Sequence, residues 1–169
     1  MPGGTKQGAF FVIGAAHDLS HQRIALLEEG YSTGASLHEA TGHPVIMCVD
    51  AGNMAAVARV LREAYPRLRL LICGENDAHK PKNTGMEAAR KAVQGLIGGC
   101  GWCVPDFCTP TDAEIMEAMG DEKPTKAARQ AALERLIQRD QSRYDAEKPK
   151  DWNDLARWFN GPERIRRQI

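Results

Sequence analysis

Residues 70–79 read LLICGENDAH, an apolar run that closes on Glu75 and Asp77 two positions apart. In a locally extended segment these two carboxylates project to the same side, because side chains alternate along the chain. Such a pair can share one hard cation or hold two. Mg²⁺ takes oxygen ligands and keeps several of its waters, so one to three carboxylates plus substrate phosphates suffice to bind it. Two other apolar runs also end in acids: IALLEEG at Glu28 and Glu29, just before Gly30, and VIMCVD at Asp50. A glutamate facing a metal pair across a crevice can act as general acid or base on the attacking or leaving oxygen. The competing reading is a set of solvated loop acids, and spacing alone leaves both open.

The elements that must carry these acids follow from periodicity. Residues 10–13, 24–27, 45–49 and 68–73 read as strands, three of them continuous apolar runs of the kind covered on both faces of a parallel sheet. Helices alternate with them. One spans about 33–41 and stops at Gly42. A second is capped by Asn53, carries Met54, Val57, Ala58, Leu61 and Tyr65 on one face and ends at Pro66. A third opens at Thr84 and runs through Met86, Ala89, Val93, Leu96 and Ile97 to a Gly-Gly-Cys-Gly breaker. Strands alternating with such helices imply an α/β fold with a mostly parallel central sheet, whose ligands bind beyond the carboxyl ends of the strands.

The texture changes after Pro105. Thr111-x-x-Glu114 is a capping box, and a charge-dense stretch with a narrow stripe of Ala128, Ala132, Leu133, Leu136 and Ile137 follows. Residues 110–148 therefore read as a surface helical hairpin. A last helix, 151–160, carries Trp152, Leu155 and Phe159 on one side and ends at Gly161. The 43% hydrophobic and 26% charged composition of the 169 residues suits one globular domain. No apolar run nears the roughly 20 residues of a membrane helix, and AFFVIGAA lacks the basic flank of a signal peptide. The 22 basic and 22 acidic residues cancel, which argues mildly against tight autonomous nucleic-acid binding while allowing a local basic patch. Five cysteines without an export signal fit reduced thiols in the cytoplasm.

The motifs EEGYSTG, SLHEATG, VDAGNM, LLICGEND and, much later, KDWNDL closely resemble the Toprim (topoisomerase-primase) domain of plasmid- and phage-type primases and primase-helicases. That family runs E-G-Y-A-T-A, S-L-H-E-A-T-G, F-D-A-G-N-L, A-D-N-D and a late D-F-N-D-L. The resemblance covers about 10–104 and resumes at 150–161. It implies a Toprim, Rossmann-like fold: one domain over 1–169, with its core at about 8–104 plus 150–161 and a helical insertion at about 110–148. By position it makes Glu29 the catalytic acid or base, Glu75 and Asp77 the metal pair, and Asp151 a later acid that completes metal binding. Asp50 and Asn53 fall in an element of mainly structural role. The implied activity is nucleotidyl transfer with Mg²⁺ or Mn²⁺, in which RNA primers are made from nucleoside triphosphates on a single-stranded DNA template. The alternatives are a metal-dependent nuclease of the same class and a non-catalytic module that binds nucleic acid or a partner.

Lys80 and Lys82, just after the metal pair, are candidate phosphate contacts; a solvated loop would explain them equally. Glu75 stands where the family has aspartate, one methylene shorter. Gly74 replaces an alanine and Thr84 a proline, neither at a position the resemblance gives to chemistry. With no P-loop and no zinc module in view, the chain reads as a fragment or a stand-alone unit that works with a helicase domain or protein, and in isolation it could be inactive. Cys100-Gly-Trp-Cys103, with Cys108 beyond, admits zinc, redox or no joint role. The basic residues of ERIRRQI read as a solvated face, as do Arg90 and Lys91.

Overall fold

The computed structural model describes residues 5–14, 18–94, 96, 98–120, 125–158 and 160–169; Ile97 and Phe159, placed above on helix faces, lie outside them. The elements run β1 (Phe11–Ile13), β2 (Ile24–Glu28), α1 (Tyr31–Thr41), β3 (Val45–Met47), α2 (Met54–Ala64), β4 (Arg69–Cys73), α3 (Thr84–Val93), β5 (Cys100–Cys103), α4 (Asp112–Met119), α5 (Lys126–Glu147), α6 (Trp152–Ala156) and α7 (Gly161–Gln168). The sheet order is β1-β3-β2-β4-β5. All neighbours are parallel except β1, which runs antiparallel to β3 at one edge. The four parallel strands therefore deliver the chain to one edge of the sheet, where the acids sit.

Period-two alternation divides the apolar runs between two layers. Ala25, Leu27, Ile46, Leu70 and Ile72 face α2 and α3, whose Met54, Val57, Ala58, Leu61, Ala89 and Ala92 cover them. Leu26, Val45 and Cys73 face the other way, onto Leu37 of α1 and onto Phe107, Trp152, Leu155, Trp158 and Ile165 from the C-terminal third. Each fully buried leucine contributes about 1.5–3 kcal/mol. A small satellite core of Ile115, Met119, Ala132 and Leu136 joins α4 to α5 as the expected hairpin. No helix among the described residues is long and apolar enough to cross a membrane.

Several local expectations are corrected. The glycine breaker read at 98–101 is strand in its second half: Cys100 and Gly101, with Trp102 and Cys103, form the parallel edge strand β5 beside β4. Asn53 stands at the N-cap position of α2 but makes no side-chain cap hydrogen bond; Asp50 accepts from the Asn53 amide at 3.0 Å and opens a 3₁₀ turn over Ala51–Asn53. The Asn53 side chain instead ties the incoming chain to the end of β3, donating to Ala9 O and Cys48 O at 2.9 Å each and accepting from Gly8 N at 2.8 Å. The cap of α3 is Asn83, whose Oδ1 accepts from Met86 N at 3.2 Å, one residue before Thr84. β3 stops at Met47, because Val49 turns into the left-handed region at φ 72°. Gly161 starts a helix rather than ending one: a Cβ there would lie 2.1 Å from Leu155 O, so only glycine permits the tight join of α6 to α7.

Candidate metal centre and catalytic site

Glu28 is the last residue of β2 and the most deeply buried acid at the carboxyl edge, 1% exposed. Its Oε2 accepts from Gly30 N at 2.9 Å. Burial pushes its pKa up to about 8 against that amide's opposing pull, and the negative charges of Glu29, Glu75 and Asp151 push it further. Glu29 is half-buried; burial and then Glu75 raise it, with Lys150 opposing. Asp151 caps α6 by accepting from Asp154 N at 2.8 Å, and burial, Asp154 and Glu75 raise its pKa too, against that amide's pull. Glu75 thus acts electrostatically on all three, and the structure brings Glu28, Glu29, Glu75 and Asp151 close enough to repel one another at the carboxyl edge of the sheet.

Backbone geometry fixes the loop after β4. Gly74 N donates to Cys103 O at 2.9 Å, and Asn76 N donates to Lys150 O at 2.6 Å, which moors the start of the C-terminal segment beside Glu75. Trp152 Nε1 donates to Gly74 O at 3.1 Å, a buried anchor for the same join. A Cβ at Gly85 would come within 2.5 Å of Glu75 O, so the close pass of α3 behind this loop requires glycine. Asn76 and Asn83 brace the loop, Asn83 Nδ2 donating to Asn76 Oδ1 at 2.8 Å and Asp77 N donating to Asn83 Oδ1 at 3.0 Å.

Asp77 is buried at the mouth of α3. Burial alone would raise its pKa, but Lys80 and Thr84 outweigh it and hold the carboxyl below its ordinary range. Lys80 Nζ lies 2.8 Å from Asp77 Oδ1, and Thr84 Oγ1 donates to Oδ2 at 3.1 Å. Thr84, set aside on sequence grounds, therefore touches the site. Glu75 carries both oxygens 3.0 Å from Lys150 Nζ, a contact its extra methylene helps it reach. Lys82 does not join the crevice; it is exposed and pairs with Glu87 at 3.5 Å. Asp50 is held by Lys6.

Sequence reasoning put the catalytic acid at Glu29 and overlooked two groups. Glu28 was visible as an acid, but only the end of a fully buried strand makes it titrate near neutral pH. Lys150 stands next to Asp151 and shows no signal until the fold brings it 75 residues back to Glu75.

Carboxylates crowded at one edge, three of them (Glu28, Glu29 and Asp151) raised by burial and by neighbouring charge, form a donor set that suits a hard divalent cation. As placed, Glu75 and Asp77 each face a lysine, and among the described residues no three His, Cys, Asp or Glu side chains converge on one metal-sized point. The Cys100/Cys103 pair cannot close on one zinc ion. Three positions apart on a strand, Cys100 packs with the α2–α3 layer and Cys103 with the opposite one. Cys103 Sγ lies 3.9 Å from Cys73 Sγ across the β4–β5 ladder.

Comparison with known proteins agrees with this geometry. The chain is 35% identical over 97 residues to a DNA primase TraC of Escherichia coli, which covers 55% of the chain and 7% of the relative. A second DNA primase TraC of Escherichia coli is 34% identical over 97 residues, 53% of the chain and 9% of the relative. The chain thus spans under a tenth of the length of these curated relatives. No solved structure matches it. The family model of the Toprim domain, a class that generally binds divalent metals, matches residues 24–102, which hold β2 through β4, the acids of both strand ends and most of β5. Residues 24–102 are a Toprim domain.

Proposed function

We propose that the chain is the catalytic core of a plasmid- or phage-type DNA primase, joining ribonucleotides on a single-stranded DNA template in the cytoplasm. What carries the reading is the charge balance at the carboxyl edge: Glu28, Glu29 and Asp151 are all raised in part by Glu75, an excess of negative charge that a divalent cation relieves. Residues 8–104 and 150–161 form the working core, and 110–148 is an insertion upon it.

Glu75, Asp77 and Asp151 would hold Mg²⁺ or Mn²⁺. Once bound, the cation neutralises the charge that develops on the transferring phosphoryl group. Glu29, the more exposed of the two glutamates, accepts the proton of the 3′-hydroxyl. Glu28 behind it keeps its own proton to about pH 8 and so spares Glu29 a second adjacent charge. Lys80 and Lys150 steady Asp77 and Glu75, and both are placed to turn towards phosphates when the carboxylates take up a cation. Lys82 offers a further phosphate contact at the start of α3. A helicase domain or separate helicase would supply the opened strand.

Template-directed dinucleotide synthesis with Mn²⁺ tests the proposal, comparing the chain with Glu29→Gln. A loss of about 10²–10⁴-fold is expected, the usual range for a missing acid–base group. Synthesis by Glu29→Gln at the parent rate overturns the role of Glu29. The lysines that neutralise Glu75 and Asp77 favour a second reading, a binding module without catalysis. Absence of product from the parent chain, with no Mn²⁺ uptake, would establish that reading instead. Degradation of single-stranded DNA without incorporation would assign the site to a nuclease.

A further inference from the structure

Next to the acidic crevice, where α5 ends and α6 begins, lies a second concavity of about 290 Å³ with Arg143, Glu147, Lys148, Asp154, Arg157 and Trp158 in its walls. Its two acids are engaged. Glu147 Oε1 accepts from Arg143 Nε at 2.8 Å, and Asp154 Oδ2 accepts from the Lys150 amide at 3.0 Å. Lys148 and Arg157 are exposed, and their side chains make no ion pair or hydrogen bond among the described residues. Trp158 is 4% exposed, yet its Nε1 has no acceptor among the described residues. A buried indole N–H ordinarily finds a partner, and leaving a buried donor unpaired costs about 1–3 kcal/mol. The Arg143 guanidinium sits 3.9 Å from the centroid of the same ring, and Phe107 packs edge-on against it, so the indole is firmly set.

The walls therefore offer donors from several directions and a surplus of positive charge, three cations against two carboxylates that are each engaged through one oxygen. That is the complement of a tetrahedral oxyanion. The cleft is also fixed to the acids. Lys148 closes α5 in the left-handed conformation at φ 50°, and buried Pro149 leads directly into Lys150 and Asp151. Resting on the reading of the crevice as a nucleotidyl-transfer site, we infer that the cleft of Arg143, Lys148, Arg157 and Trp158 binds a backbone phosphate of single-stranded nucleic acid and guides the strand to the acids.

The test uses the whole chain, ¹⁵N-labelled and kept in EDTA so that no synthesis occurs. It is titrated separately with inorganic phosphate, a nucleoside triphosphate and a single-stranded oligonucleotide. The Trp158 indole resonance shifts saturably with the oligonucleotide, while that of Trp152, already bonded to Gly74 O, stays in place. Joint replacement Lys148→Ala and Arg157→Ala, both at exposed positions, lowers oligonucleotide affinity roughly tenfold and flattens the log–log salt slope by about 1.4. An unmoved Trp158 resonance overturns the inference, as does a double variant with parental affinity and slope. Saturation by inorganic phosphate or the triphosphate at lower concentration than the oligonucleotide also overturns it, and gives the cleft to a free phosphate or a nucleotide. The two readings fail separately. A chain that binds strands in this way but makes no dinucleotide keeps the cleft and loses the catalytic proposal. One that makes dinucleotides, while its double variant binds normally, does the reverse.

Discussion

Two buried glutamates, Glu114 under the helical hairpin and Glu28 at the carboxyl edge of the sheet, are treated in opposite ways. Under the helical hairpin, Glu114 and Asp140 are almost fully buried around Arg164, itself 1% exposed. Arg164 Nη2 reaches Glu114 Oε1 at 2.7 Å and Asp140 Oδ2 at 2.5 Å, and Nη1 donates to Phe107 O at 2.7 Å. Burial alone would raise Glu114, but Arg164 and the Thr111 capping box outweigh it and hold the carboxyl down. At the carboxyl edge of the sheet, Glu28 is buried just as deeply with a single backbone amide for support, and its pKa rises to about 8. The first cluster is a closed staple that fastens α7 to α4 and α5. The second is left short of positive charge, which a structural role does not require and a cation- or proton-handling role does.

Three substitutions probe this contrast. The largest effect is expected from Arg164→Ala, which strands two buried carboxylates and should destabilise the chain by about 3–5 kcal/mol in thermal or denaturant unfolding. Arg139, 2.7 Å from Asp140, can take up part of the charge, so a loss under about 1 kcal/mol would show that the staple is not the main fastening. Next comes Glu28→Gln, followed as stability against pH in EDTA. The parent holds the Glu28 proton to about pH 8 when folded and releases it near its ordinary 4.5 when unfolded. Its stability therefore falls as pH rises from 4.5 to 8, by roughly 5 kcal/mol at most, and the glutamine variant should lose that slope. An unchanged slope would mean that Glu28 is ionised at neutral pH. The smallest effect belongs to Lys150→Ala, which frees Glu75. Mn²⁺ binding, read by paramagnetic resonance, should tighten about fivefold, in line with the modest worth of a partly exposed ion pair. Weaker binding would mean that Lys150 positions Glu75 rather than competing for it.

The sequence carried much of this because the parallel strands are continuous apolar runs that stop abruptly at acids. Runs of that kind mark both the layer and the edge where a ligand sits. It failed where tertiary placement overrides local chemistry. Cys100-Gly-Trp-Cys103 holds a glycine and follows two more, so it scores as a breaker, yet register with residues 70–73 makes it a strand. Arg164 lies in a run with three cations among nine residues, and nothing local separates the one that is buried from those that are solvated. The Glu75–Lys150 contact spans 75 positions and has no periodicity at all. The acid–Gly element and the paired acids were legible because their spacing is local; their compensating lysines were not.

The return of the chain through Asn76 and Lys150 also has a consequence in time. The matched segment ends at Trp102, but Leu26, Leu37 and Cys73 share their core cluster with Phe107, Trp152, Leu155, Trp158 and Ile165, all of which lie beyond it. At a synthesis rate of about 5–20 residues per second, the roughly 60 residues between Trp102 and Ile165 take about 3–13 s to emerge. For that interval the nascent sheet can pair its strands, yet one apolar face is covered by α1 alone. The segment with the recognisable motifs is therefore shorter than the unit that can fold, and a chain stopped before Trp152 would be a substrate for chaperones and proteases rather than a smaller working domain.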